Sequence, residues 1–269
     1  MEFLKLKDEI ENMADNVTGR LSYYIEYNGE TLYKNPQVKM NPASIIKIPI
    51  AVAALLQIQN GEIDANKVIT VTETEKIGGT GIIHCMKGEV AFSFQNLIPI
   101  MISVSDNTAT NKIIQEIGIP TINKVIESLG CVNSAVNREI MDVDPNLVEL
   151  NNHMTAQDVN TLLKDINSGD RLTKEHKNFL LGCLEKQQFN HKLPLFIKDT
   201  LYSPYAHKTG DDIGMEHDVG ILNINGETLY VSIMSNEVHN NLDAQMFISG
   251  VGKLLYDFAT ASSLSNSNA

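Results

Sequence analysis

Apolar positions along the chain follow two different periods. In MEFLKLKDEIENMADN (1 to 16) they are interrupted by charges at the spacing of an amphipathic helix. In LSYYIEYNGETLYKN (21 to 35) strand-forming residues flank Asn28-Gly29, a pair suited to the positive φ values of a tight hairpin. VGILNINGETLYVSIMSN (219 to 236) repeats that design around Asn225-Gly226, and AHKTG just ahead of it can supply a further strand. From about 45 to 190 the period is helical, with Gly, Pro, Asn and Asp as punctuation. SIIKIPIAVAALLQIQNG runs from Ser44 to Gly61, followed by FQNLIPIMISV, NTATNKIIQEIG, TINKVIESLG, TAQDVNTLLKDINSG and LTKEHKNFLLGCLEKQ. A last helix over 242 to 259 offers Leu242, Met246, Ile248, Leu254, Leu255 and Phe258 as an apolar face.

Strands from the two chain ends can bury their apolar faces only by pairing with each other. The expected fold is therefore α/β: an antiparallel sheet of about five strands flanked by helices, with an all-helical lobe inserted. Residues 1–44 and 195–260 would form the α/β lobe, 45–194 the inserted lobe, and 261–269 a flexible tail. The junction of two lobes is the default place for a ligand cleft.

Composition narrows the function. With 269 residues, 43% of them apolar, the chain can bury one large core or two moderate ones. A net charge of −12 and the absence of any basic run oppose a nucleic-acid partner. The three cysteines, Cys85, Cys131 and Cys183, have no zinc-site spacing and read as ordinary buried thiols. No uncharged stretch approaches the ~20 residues needed to span a bilayer, so no membrane partner is expected. The first residues lack the apolar core of a secretory signal, so the chain as given reads as cytoplasmic, or as secreted if a leader has been removed.

Candidate chemistry begins with Ser44 and Lys47, three apart at the head of the apolar run and hence on one helical face. An uncharged lysine there could accept the serine proton, and burial or a second cation would depress its pKa. Backbone N–H groups at a helix start could steady an oxyanion. One S-x-x-K is expected by chance in roughly every chain of this size. SVSDNTATN, with Ser105-Asp106-Asn107 between two helices, and HKTGD, with Lys208-Thr209-Gly210 entering a strand, change that weight. Taken singly, SDN reads as a helix N-cap through Asp106 or Asn107, and KTG as a strand end with a glycine kink.

In this order SIIK, SDN and KTG resemble the three signature elements of the serine β-lactamase and penicillin-binding protein superfamily, nearest its class A branch. The likeness extends from about residue 5 to 259. It implies that Ser44 attacks a β-lactam or peptide-like carbonyl to form an acyl-enzyme, with Lys47 as proton partner. Ser105 would relay a proton to the leaving nitrogen, and Asn107 would donate to a substrate amide carbonyl. Lys208 would keep Lys47 neutral and draw an anionic small-molecule substrate, Thr209 and Gly210 would meet the substrate carboxylate, and the backbone N–H of Asp211 would be the second oxyanion donor. No cofactor is implied.

The match fails at one point. The resemblance calls for a glutamate in an E-x-x-L-N segment to drive water onto the acyl-enzyme, and here NLVELNNHMTAQD puts Leu147 in its place. Glu149 is the nearest acid, two residues late; Asp142, Asp144 and Glu139 are weaker alternatives. Acylation is thus expected and turnover is open. A penicillin-binding-type carboxypeptidase or esterase, and a sensor acylated once, remain the alternatives. The histidines lack ligand spacing and no metal is expected; Asp211, Asp212, Glu216 and Asp218 form an acidic cluster read as a solvated loop, and Gly78-Gly79-Thr80-Gly81 as a turn between helices.

Overall fold

A computed structural model describes residues 2–141, 151–197, 205–224 and 226–266. Helix α1 (Leu6–Ala14) buries Leu6, Ile10 and Ala14, one residue per turn, and leads into the hairpin β1 (Arg20–Tyr27) and β2 (Glu30–Lys34). Asn28 and Gly29 make the turn at φ 49° and 82°, which matches the strand twist.

A 3₁₀ turn over Ala43–Ile46 opens helix α2 (Lys47–Gln59). The inserted segment continues with β3 (Val68–Val71), β4 (Val90–Ser93) and helices α3 (Phe94–Ser103), α4 (Asn107–Ile117), α5 (Ile119–Ser128), α6 (Ala156–Ser168) and α7 (Lys174–Glu185). Strands β5 (Tyr205–Asp212), β6 (Met215–Ile224) and β7 (Glu227–Asn236) return to the sheet, and α8 (Asn241–Asn266) closes the chain.

The antiparallel sheet has the order β2-β1-β7-β6-β5, so both chain ends build it, with β5 at an edge. Strand alternation sends successive residues to two cores. Ile25, Tyr205, Leu222 and Val231 pack with Leu6, Ile10, Phe247 and Leu255 of α1 and α8. Ala206, Val219, Ile221 and Met234 pack with α2 and its neighbouring helices. Helix α2 is apolar on every side because it sits in the middle of that second core, where residues 47 to 55 are all buried.

Three features differ from the sequence reading. Ser44 does not begin an α-helix; it lies in the 3₁₀ turn, where residues three apart eclipse, so the Ser44–Lys47 register is tighter than expected. Pro49 near the start of α2 forgoes a bond there, which is consistent with a different geometry in the preceding turn. Helix α8 runs on to Asn266 instead of yielding a loose tail from 261, since Ala, Ser and Leu carry no helix-breaking feature. Cys85 is exposed, while Cys131 and Cys183 are buried; all three are free thiols.

Candidate active site

Ser44 reaches the cleft on a braced segment. His217 Nδ1 accepts the Ser235 N–H at 3.1 Å, which leaves Nε2–H to donate to the Asn41 carbonyl at 2.8 Å. Asn41 Oδ1 in turn accepts the Ala43 N–H, and Ala43 sits at φ 42°, a left-handed conformation that a non-glycine residue adopts only under constraint. Burial and the charge of Lys192 lower the His217 pKa to about 4, so its imidazole stays neutral. Gly210 of β5 packs against this turn: a Cβ there would lie 3.1 Å from Pro42 O and 3.2 Å from Ile45 Cγ1. The glycine therefore sets the close approach of β5 to Ser44.

Lys47 is fully buried, and its Nζ lies 2.9 Å from Ser44 Oγ, 2.7 Å from Ser105 O, 3.0 Å from Ser105 Oγ and 2.9 Å from Asn107 Oδ1. Two of these oxygens, a carbonyl and an amide oxygen, can only accept. A neutral amine has two hydrogens for them, and its lone pair is left to face a serine hydroxyl. Burial, and secondarily the nearby Lys208, hold the Lys47 pKa well below its ordinary value. Electrostatics favours the uncharged amine, and the geometry can accommodate it.

Ser105 stands at φ 54°, a strained conformation fixed by its neighbours. Its carbonyl accepts from Thr80 Oγ1 at 2.8 Å, and its hydroxyl lies 3.0 Å from Lys208 Nζ as well as from Lys47 Nζ. Asp106 caps α4 by accepting the Ala109 N–H, and its other oxygen takes the N–H groups of Ile82 and Ile83 at 2.7 and 2.8 Å. Gly81, at φ 118°, is the only residue type that fits beside it, because a Cβ would come within 2.3 Å of Asp106 Oδ2. The glycine-rich segment is thus the clasp that holds the Ser105 loop. Asn107 Nδ2 donates to Gly78 O, so this side chain orients Lys47 with its oxygen and keeps one amide hydrogen free for another acceptor.

Lys208 is fully buried and donates to Ser105 Oγ and to Thr209 O at 2.8 Å. Burial lowers its pKa to about 7, with Asp211 and Asp218 opposing the shift. His207 points away from the cleft to Asp218 at 2.9 Å and to Asn190 at 3.0 Å. The Thr209 hydroxyl is buried without a hydrogen-bond partner among the described residues. Beyond Gly210, the ammonium of buried Lys192 contacts Asp211 Oδ1, Glu216 Oε2 at 2.6 Å and the carbonyls of Gly210 and His217. Burial opposes ionisation of Asp211, but the His191 hydrogen bond and the charge of Lys192 outweigh it and hold the carboxyl well below the usual range. His191, Asp211 and Glu216 come within metal-ligating distance of one another, yet Lys192 Nζ already contacts both carboxylates. The acidic cluster read as a solvated loop is corrected here: Glu216 and Asp218 are buried and committed to Lys192 and His207.

Ser44, Lys47, Ser105, Asn107 and Lys208 are joined by one hydrogen-bond network, and Thr209, Gly210 and Asp211 follow along the adjoining edge strand. Glu149, Leu147, Asp142 and Asp144 lie outside the described residues. Glu139 accepts from Gln115 Nε2 at 3.1 Å near the end of α4. Lys192, Thr80, Gly81 and His217 were not legible as site-forming positions; the Gly-Gly-Thr-Gly run signalled a turn but not its contact with Asp106.

A family model described as the β-lactamase enzyme family matches residues 5–259. The chain belongs to that family. It is 24% identical over 271 residues to the extended-spectrum β-lactamase PER-1 of Pseudomonas aeruginosa, covering 94% of this chain and 87% of the relative. The β-lactamase VEB-1 of the same organism is 23% identical over 93% of this chain and 89% of its own length. Among solved structures, a β-lactamase from Sphaerobacter thermophilus superimposes with a TM-score of 0.86 at 25% identity, over 94% of this chain and 96% of that one. PBP-A has the same fold, with a TM-score of 0.84 at 24% identity over 96% and 97% of the two chains. This chain is a β-lactamase-like hydrolase. Among the described residues no helix is long and apolar enough to cross a membrane.

Proposed function

We propose that the protein opens β-lactam rings by acylation of Ser44. The observation that carries this reading is the buried Lys47 amine, held within 2.9 Å of Ser44 Oγ by two groups that can only accept its hydrogens. Ser44 Oγ attacks the lactam carbonyl carbon as its proton passes to the Lys47 lone pair. The backbone N–H groups of Ser44 and Asp211 receive the oxyanion. Collapse breaks the C–N bond, and Ser105 Oγ gives its proton to the leaving nitrogen while Lys208 or Lys47 replaces it through bonds of 3.0 Å. Asn107, Thr209 and Gly210 line the path of the substrate. The positive potential assigned to Lys208 is partial, since its pKa is about 7.

A second reading, a long-lived acyl-enzyme, is favoured by Leu147 standing where the glutamate is expected. The structural relative PBP-A has been captured as a leucine-to-glutamate mutant in an acyl-enzyme complex with penicillin G. A chromogenic cephalosporin assay beside intact-protein mass spectrometry separates the readings. Repeated turnover supports a lactamase, and a lasting adduct without turnover supports a penicillin-binding or sensor role. Hydrolysis confined to small esters or D-Ala-D-Ala peptides supports a carboxypeptidase or esterase. Ser44→Ala is expected to remove both adduct and turnover, at least a thousandfold by order of magnitude; unchanged hydrolysis would refute the nucleophile assignment.

A further inference from the structure

A second cavity, of about 390 Å³, opens where the end of α1 meets the start of β1 and the end of β2. Its size is that of a small-molecule site. Strands β2 and β5 are the two edges of the sheet, so the cavity lies toward the edge opposite the Ser44 cleft, and none of Ser44, Lys47, Ser105 and Lys208 lines it. Backbone contacts fix its walls. Gly19 turns at φ 86°, where a Cβ would lie 2.4 Å from the Glu237 carbonyl oxygen, so this wall can approach the end of β7 only as glycine. Asn35, at φ 48°, donates from Nδ2 to Leu21 O at 3.0 Å, and its carbonyl accepts from Ser22 Oγ at 3.0 Å. Met40 is tied through both its backbone groups to Met154. The cavity is therefore preformed.

Its lining divides into an apolar floor and a cationic mouth. Ala14, Val17, Leu21, Val38 and Met40 form the floor. Arg20 and Lys34 supply the charge, and no acid lines the cavity although the chain carries 33 acidic residues against 21 basic ones. Arg20 donates through Nη2 to Lys39 O at 3.1 Å and through Nη1 to Glu237 Oε1 at 3.4 Å, which uses two of its five hydrogens. Its pair with Glu237 is exposed on both sides and hence weak. Lys34 is exposed and has no ion pair among the described residues. It stands opposite Tyr23 in the hairpin, and Tyr23 packs in the core shared with α1, so Lys34 leaves the sheet on the face that carries Leu21.

We infer that this cavity is a second ligand site, which takes a monocarboxylate with an apolar body. The hydrocarbon covers Leu21, Val38 and Met40, and the carboxylate meets Lys34 and the remaining donors of Arg20. A neutral apolar molecule would gain nothing from Lys34, and a small anion would leave the floor in water. The site is separate from the chemistry of Ser44 and does not depend on it.

Decanoate, decanol and acetate test the two halves of the site. Each is titrated, below its micelle concentration, into protein with labelled methyl groups, and NMR shifts are followed at Val17, Leu21, Val38 and Met40. Decanoate should move these signals saturably and bind more tightly than either decanol or acetate. Lys34→Gln, a change at an exposed position, should weaken decanoate about fivefold, the upper range for one exposed charge pair, and leave decanol unchanged. Added potassium chloride should weaken decanoate in the natural protein. Shifts confined to methyl groups elsewhere, equal affinity for decanoate and decanol, or decanoate binding indifferent to Lys34→Gln would each overturn the inference. The titration reads binding alone, so its failure leaves acylation of Ser44 untouched, and failure of acylation leaves this site standing.

Discussion

Lys47 and Lys192 are both wholly buried lysines, within reach of the same strand, and their surroundings differ in kind. Lys47 is surrounded by neutral oxygens and a second lysine amine; Lys192 is enclosed by two carboxylates and two carbonyls. Burial alone disfavours the charge on either. What separates them is the charge of the ligand shell: a lysine without a touching carboxylate becomes a base, and one clasped by two becomes a structural cation. Residue type and exposure would have classed them together.

The largest expected effect from breaking this comparison is on rate. Lys47→Met should lower acylation by 10² to 10⁴, on the order of a lost general base, with little loss of melting temperature because no carboxylate touching it is left unpaired. Lys192→Met should do the reverse. It strands Glu216 and Asp211 beside an apolar side chain, and thermal unfolding should report a loss of about 3 kcal/mol, at the low end for a broken buried pair because Asp211 keeps partial solvent contact. Equal stability losses in the two variants would remove the distinction.

A comparable effect, confined to acid pH, is expected at His217. Its folded pKa of about 4 lies below the ordinary 6.5, so the unfolded chain binds more protons between those values. Stability should therefore fall with falling pH across that window, by about 3 kcal/mol from this group. His217→Gln should flatten that part of the pH–stability curve, measured by denaturant unfolding. A smaller change concerns Lys208. With its pKa near 7, acylation that depends on its charge should decline as pH rises through about 7. Lys208→Arg, which stays charged, should move that decline to higher pH even if the rate itself is lower.

The local parts of this site were legible in the sequence because they are written in adjacent residues. Asn28-Gly29 determines its hairpin, Asp106 its helix cap, and the spacing of Ser44 and Lys47 their shared face. What was not legible depends on partners distant along the chain. Lys192 sits in an ordinary HKLP stretch, and its role exists only because β5 and β6 bring Asp211 and Glu216 to it. Gly81 is required by Asp106, 25 positions later, and His217 by Asn41, 176 positions earlier. The 3₁₀ form of the Ser44 turn is not legible in the sequence because the apolar run reads equally as α-helix. Leu147, by contrast, raises the question of deacylation from sequence alone, and it lies outside the described residues.

Acylation as proposed requires that Lys47 be uncharged when Ser44 attacks. Its side-chain titration, followed by NMR on protein carrying labelled lysine and assigned with Lys47→Met, tests this most directly. The expected result is a Lys47 signal that loses its proton well below the ordinary 10.5. A Lys47 signal that stays cationic until about pH 10 would contradict it.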